Sequence, residues 1–178
     1  IAIEGARQVK QIRKLVISDD LTGLYNARHF HELTDYEIER ARRYNTSLAL
    51  VFIDLDRFKQ VNDRYGHLVG SRLLTEVGQL IYRQIRKVNH AARYGGDEFV
   101  ILCPSTDKAG ALVMASHLRQ ALSEYVFRSD EGERIQITAS FGVASYPADA
   151  QTKNTLIRLA DKAMYEVKGT TRDAVRTA

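Results

Sequence analysis

Leu48-Ala49-Leu50-Val51-Phe52-Ile53 is an unbroken run of six apolar residues, and it ends in Asp54-Leu55-Asp56. Such a run predicts a strand buried on both faces, with a layer packed on either side of its sheet. Strand alternation puts the carboxylates at i and i+2 on one side, so the strand carries an acidic end. A second acidic strand end lies in Arg93-Tyr94-Gly95-Gly96-Asp97-Glu98-Phe99, flanked by Ala91-Ala92 and by Val100-Ile101-Leu102. Apolar segments around two glycines predict a hairpin with a tight turn. Glycines let a backbone approach a phosphate closely and reach positive φ, and adjacent carboxylates can hold a divalent cation. An ordinary hairpin with a polar tip would explain Gly95-Gly96-Asp97 taken alone. The partner end at Asp54 argues for chemistry instead.

The rest of the chain supplies the layers. Ala2, Gly5, Val9, Ile12 and Val16 are spaced 3-4-3-4, which predicts a helix over residues 1–18. The spacing fits a short coiled-coil seam, a signalling stalk from an input domain, or a helix packed on its own domain. Asp19-Asp20 ends the pattern, Leu21 to Leu24 reads as a turn, and a second helix is predicted near Ala27 to Tyr44, with Phe30, Leu33, Tyr36-Glu37-Ile38 and Ala41 on its apolar side. After the buried strand a helical stretch is broken at Gly66 and Gly70, and Leu73, Leu74, Val77, Leu80, Ile81 and Ile85 then share one helical face. The hairpin spans about 91 to 103, closed by Pro104. Ala109 to Val126 reads as a helix, Ile135 to Ala144 as a single strand, and Thr155 to Lys168 as the last helix, with Leu156, Leu159, Ala163 and Val167 inward. The order predicts an α+β fold, a central and mainly antiparallel sheet flanked by helices.

Composition narrows the function. The 178 residues suit one domain, or one domain with a helical extension, and 44% apolar residues are enough for a core. No run approaches the ~18 apolar residues of a membrane span. A single cysteine, Cys103, leaves no internal disulfide and fits a reducing compartment. Following Ile101-Leu102, it reads as a buried structural thiol. The net charge of +4 is modest and the basic residues are scattered, which fits a polyphosphate substrate and gives no case for nucleic-acid binding. The chain opens at Ile1 without a Met or a signal-like segment, and we expect a fragment of a longer cytoplasmic protein, its upstream regulatory domain missing.

Five motifs, in order, resemble the GGDEF family of nucleotide cyclases, which make cyclic dinucleotide messengers. They are Asp20 to Asn26, Asp54 to Asp63, Gly66-His67, Gly95 to Phe99, and Ala160-Asp161-Lys162-Ala163-Met164-Tyr165, together covering roughly residues 19 to 173. The resemblance implies a fold similar to the palm of polymerases and adenylyl cyclases, with a catalytic domain at 19–178. It implies Mg²⁺ or Mn²⁺ held by Asp54, Asp97 and the backbone carbonyl of Leu55, with Asp97 drawing the proton from a 3′-hydroxyl and Glu98 assisting. Asp56 is expected to support rather than ligate. Gly95 and Gly96 form the nucleotide-binding turn. Lys59 and the amides near Phe58 are expected at the triphosphate. Lys168 and Arg172 match the lysine and arginine of the family's closing Lys-x-x-Gly-Arg, with Thr171 standing where that pattern has glycine.

Base recognition falls by the same resemblance to Asn62, His67 and Ser71. Most of the family has aspartate at the last of these, to accept from guanine's N1–H and N2–H₂. A serine hydroxyl both donates and accepts, and carries no charge. Ser71 therefore resembles a promiscuous branch that joins GTP and ATP into cyclic GMP-AMP. The alternative is that Ser71 caps a helix beginning at Arg72. The product-inhibition motif Arg-x-x-Asp reads Arg86-Lys87-Val88-Asn89, which keeps an acceptor but loses the charge that pairs with arginine. Other readings are a strictly GTP-specific cyclase, a domain that binds nucleotide without turnover, and a structural dimerisation domain. A product built from two nucleotides implies a homodimer with facing sites.

Overall fold

The computed structural model describes residues 17–178. The helix read over residues 1–18 therefore falls almost wholly outside the described residues. Among the described residues there are eight strands: β1 (Tyr25–Asn26), β2 (Leu48–Leu55), β3 (His90–Gly95), β4 (Glu98–Pro104), β5 (Phe127–Arg128), β6 (Arg134–Ile135), β7 (Ala139–Tyr146) and β8 (Val175–Thr177). The helices are α1 (Ala27–Tyr44), α2 (Phe58–Tyr65), α3 (His67–Gln84), α4 (Lys108–Glu124) and α5 (Lys153–Gly169). Six strands make one sheet in the order β1-β3-β4-β2-β7-β8, and β5 and β6 pair separately. The four inner strands β3, β4, β2 and β7 pair antiparallel with one another, and only the short edge strands β1 and β8 pair parallel. This is the mainly antiparallel α+β sheet that the sequence predicts.

The apolar run lies at the centre, with every residue of β2 buried. Its alternate side chains serve opposite layers. Ala49, Val51, Ile53 and Leu55 pack with residues of α2, α3 and α4, whereas Leu48, Leu50 and Phe52 pack with Phe30 of α1 and with Leu156, Ala160 and Met164 of α5. Registers Asp54↔Glu98 and Asp54↔Ser140 set the acidic end of β2 between the start of β4 and the start of β7. Cys103 is buried, and burial pushes its thiol up to about 12, as expected for a structural residue.

Four local expectations are corrected. Gly70 does not break a helix: Gly66 alone separates α2 from α3, at φ 86°, and Gly70 lies inside α3. A Cβ at Gly70 would overlap the Asn62 side chain, so the glycine serves helix-to-helix contact rather than chain reversal. The strand read over 135–144 is two strands in two sheets, β6 pairing with β5 and β7 with β2 and β8, and between them the Thr138 carbonyl accepts from the Asp56 amide at 2.8 Å. Tyr36, read on the apolar side of its helix, is 64% exposed, and the buried face runs through Phe30, Thr34, Glu37 and Ala41. Glu37 can be buried because Arg40 and His90 meet its carboxylate at 3.2 and 3.6 Å. Finally, α3 starts at His67, so Ser71 is an interior helical residue and caps nothing.

Candidate active site

The two carboxylates at the acidic end of β2 are met by two different sets of partners. Asp54 and Asp56 are 4% and 5% exposed. Asp56 accepts from Thr138 Oγ1 and Ser140 Oγ, each at 2.7 Å, and from the Asp173 amide at 3.0 Å. It therefore ties the start of β7 to the segment entering β8. Among the described residues Asp54 meets a single side-chain partner, the Lys168 ammonium, at 2.7 Å from both carboxylate oxygens.

That ammonium serves more than one acid. Burial would lower the Lys168 pKa, but the hydrogen bond to Asp54 and the charges of Asp54, Asp97 and Glu98 carry it above its ordinary value. Asp54 is raised as well, first by burial and then by Asp97 and Asp56, against the pull of Lys168. Glu98 is raised by burial, then by Asp54, Asp161 and Asp97, with Lys168 again opposing. One cation between several carboxylates cannot depress all of them, so both partners in the Asp54–Lys168 pair shift upward. The strand end carries surplus negative charge in a partly desolvated place. Among the described residues, no group of three or more His, Cys, Asp or Glu side chains is gathered as a metal cage. The hard oxygen donors at hand are two carboxylates and main-chain carbonyls, a set suited to Mg²⁺, which keeps several waters and takes one or two carboxylates from the protein.

The hairpin turn is held by Arg93 of β3 and, through it, by the chain that precedes β1. Gly96 adopts φ 50°, a region open to glycine, and its carbonyl accepts from Arg93 Nη2 and Nε at 2.7 and 3.0 Å. The same guanidinium reaches Asp19 at 3.3 Å, and Asp19 accepts from the Thr22 amide and hydroxyl at 2.9 and 2.8 Å. The entering chain is thereby pinned to the turn. Leu55 N–H donates to the Asp97 carbonyl at 3.3 Å, so the two acidic strand ends are joined through the backbone. The Asp97 side chain is partly exposed.

Asn62, His67 and Ser71 come together. With Asp97 they line a cavity of about 240 Å³ walled by Leu21, Phe58 and Leu74. Asn62 lies on α2 and the other two on α3, and the helices can cross this closely because Gly70 leaves room for the Asn62 amide. The Ser71 hydroxyl makes no hydrogen bond among the described residues, and only its carbonyl is engaged, by Thr75. Leu21 and Leu74 complete the wall; in the sequence the first reads as a turn residue and the second as part of a helical core face, and neither is expected at the base. Lys59 lies exposed in the first turn of α2, which begins after Arg57 at φ 58° without a side-chain cap, leaving amide donors near Phe58 and Lys59 for an anion. Arg172 does not join this cavity. It lines a different cleft across α2, with Arg172 and Asp173, rather than Thr171, at positive φ. Arg86 and Asn89 line a third cavity of about 710 Å³ together with His117, and the buried Asn89 Oδ1 has no hydrogen-bond partner among the described residues.

A model of the family described as "Diguanylate cyclase, GGDEF domain" matches residues 16–174. The chain belongs to the GGDEF family. Family members are nucleotidyltransferases. This GGDEF chain is 38% identical over 169 residues to the bifunctional diguanylate cyclase/cyclic di-GMP phosphodiesterase MucR of Pseudomonas aeruginosa, an alignment covering 94% of this chain and 24% of MucR. It is 34% identical over 168 residues to diguanylate cyclase A of Treponema denticola, covering 93% of this chain and 45% of that protein. The GGDEF chain thus spans less than half of either relative. Among solved structures, the GGDEF domain of TpbB (YfiN) from Pseudomonas aeruginosa superposes with a TM-score of 0.85 at 35% identity, covering 88% of this chain and 98% of that one. The coiled coil and GGDEF domain of DgcB from Caulobacter crescentus, in complex with c-di-GMP, gives 0.90 at 28% identity, covering 99% and 94%.

Proposed function

We propose that this domain is an active, metal-dependent cyclic dinucleotide synthase that condenses two purine nucleoside triphosphates and releases pyrophosphate. The observation that carries the reading is the cavity in which Asn62, His67 and Ser71 meet Asp97, beside the Asp54 strand end. A domain that only bound nucleotide, or only dimerised, has no need for carboxylates that raise one another's pKa at that spot. Asp54, Asp97 and the Leu55 carbonyl would hold Mg²⁺ or Mn²⁺, which when bound supplies charge stabilisation for the attacking and leaving oxygens.

The chain's own groups do the rest. Asn62, His67 and Ser71 orient the base. The α2 amides, Lys59, Lys168 and Arg172 neutralise the phosphates. Asp97 takes the proton of the attacking 3′-hydroxyl, and Glu98 supports it. Lys168 holds Asp54 at 2.7 Å here, and would be free to meet phosphate if a metal took up that carboxylate. Residues 1–18 would link the domain to an upstream regulatory segment, and with Asn89 at the degenerate inhibitory motif, feedback through Arg86 is weakened.

Ser71 sets the finer specificity. Its hydroxyl is free to rotate and faces the cavity wall, so it can donate to adenine N1 or accept from guanine N1–H. Incubation with Mg²⁺ and equal GTP and ATP, with products resolved by mass, is expected to give cyclic GMP-AMP alongside cyclic di-GMP. An unmet buried acceptor beside adenine costs ~1–3 kcal/mol, so Ser71→Asp should shift output toward cyclic di-GMP by about one to two powers of ten. Cyclic di-GMP as the sole product of the unmodified protein would reduce the reading to a strictly GTP-specific diguanylate cyclase.

Each domain has the groups for one nucleotide, and the product joins two, so the active species is a symmetric dimer with facing cavities. Turnover per subunit should climb with protein concentration until the dimer saturates. A flat specific rate in a species shown by light scattering to be monomeric would contradict this.

A further inference from the structure

β5 and β6 form a hairpin outside the six-stranded sheet. Its root is in the core: Phe127 and Ile135, opposite one another in the ladder, are buried in the same cluster as Val61 of α2 and Val69 of α3. Its tip is a turn bonded to itself. Gly132 N–H donates to the Ser129 carbonyl at 3.1 Å and Glu133 N–H to Ser129 Oγ at 3.0 Å, with Gly132 at φ 81°. Arg128 spans the same turn, from Nη1 to the Gly132 carbonyl at 3.3 Å. Anchored at the root and cross-bonded at the tip, so short a hairpin holds its shape.

Two arginines reach this tip, one from each helix of the base cavity. Arg72 of α3 holds Asp130 at 2.6 Å and the Arg128 carbonyl at 3.3 Å, and Arg64 of α2 meets Glu133 at 3.4 Å. Among the described residues these are the two ion pairs that α2 and α3 make, and both end on the hairpin. Beside them lies a gap of about 310 Å³, edged by Tyr65 and Val69 on the helices and by Ser129 and Glu131 on the hairpin. The tip is therefore held by charge rather than by apolar packing. Successive residues of a helix point about 100° apart. Arg72 follows Ser71 and Arg64 lies two after Asn62, so each arginine leaves its helix by a different face from the base-site residue. The helices join at Gly66, at φ 86°, and touch where Gly70 admits the Asn62 amide. A further support, common to both, fixes the angle between them.

We infer that the β5–β6 hairpin is a strut for base recognition, with Arg64 and Arg72 as positioning residues that act through Asn62 and Ser71. Base recognition here rests on the nucleotide reading above. Both ion pairs are exposed, and such a pair shifts an equilibrium by about fivefold at most. The strut therefore tunes base affinity rather than creating it. Its contacts are also screened by salt, over a Debye length of about 3 Å at 1 M. Ionic strength thus acts on the base site through groups that lie outside the base cavity.

Asp130→Asn with Glu133→Gln removes both tip charges and keeps the side-chain shapes. Amide exchange followed by mass spectrometry reads the strut with no nucleotide present. At low salt, exchange over residues 58–74 is expected to quicken about threefold or more in this double variant, and the difference should close at about 1 M salt. Calorimetric titration with GTP, in the Asp97→Ala protein where turnover plays no part, should show binding weakened about fivefold by the same two changes. Arg72→Glu keeps helix propensity and should weaken binding likewise, and adding Asp130→Arg should restore it. Unchanged exchange in the double variant overturns the strut. So does a loss that persists in salt or resists the charge exchange, because a general loss of folding would behave that way. A parent protein that binds no GTP overturns the nucleotide reading and the base-recognition role with it, a failure told apart from that of the strut, which shows in the exchange.

Discussion

Asp97→Ala is expected to lower the rate of dinucleotide synthesis by about 10³-fold or more, from the combined loss of a metal carboxylate and a positioned base. The fold should survive intact. Its carbonyl, which accepts from Leu55 N–H, is main chain and remains, and its partly exposed side chain makes no hydrogen bond among the described residues. The change also removes a repulsion, because the Asp97 charge helps to raise both Asp54 and Glu98. Both carboxyls should move back toward their ordinary range, and the melting temperature should hold or rise slightly. Asp97→Asn keeps the shape and loses the charge, so it should be as inactive as alanine if charge is what matters. Undiminished product from either variant, in the presence of Mg²⁺, would sink the proposed mechanism.

How much of this site could be read in the chain follows from how local each feature is. Both acidic strand ends were legible, because a buried strand announces itself by an apolar run and a hairpin by glycines between such runs. The meeting of Asn62, His67 and Ser71 was expected only through resemblance, since it depends on how two helices cross. That crossing in turn depends on Gly70, which in sequence looks like a helix breaker and in the fold is a space left for Asn62. Ser71 looked equally like a cap until α3 proved to begin four residues earlier. The Asp54–Lys168 pair joins residues 114 positions apart, and the Arg93–Asp19 contact joins residues 74 apart. Pairings of that separation leave no periodicity to read. The short strands β1, β5 and β8 were missed for a related reason, because two or three residues cannot display alternation.

Two alanine substitutions at buried glycines should separate stability from nucleotide binding. Gly142 lies in β7, where α5 crosses so closely that a Cβ would overlap the Ala160 carbonyl and the Met164 amide, and would meet Met164 Cβ at 2.9 Å. The obstruction is backbone on both sides. β7 is hydrogen-bonded to β2 and β8 and cannot retreat, so α5 must lift off the sheet. Gly142→Ala is therefore expected to cost ~3 kcal/mol or more, at or beyond the upper end for overpacking. For a domain of this size that lowers the melting temperature by roughly 10 °C. Because α5 carries Lys168, the pair with Asp54 should loosen in whatever folded protein remains. At Gly70 the nearest atoms to an added Cβ are instead the ends of the Asn62 and Phe58 side chains, which can turn aside. Gly70→Ala also gains ~1 kcal/mol of helix propensity, so its melting temperature should change little while Asn62 is pushed out of the base cavity and nucleotide affinity falls. Thermal unfolding monitored by circular dichroism, paired with GTP titration, reads both effects. A Gly142→Ala protein as stable as the parent would mean that α5 does not approach β7 as closely as the packing here requires.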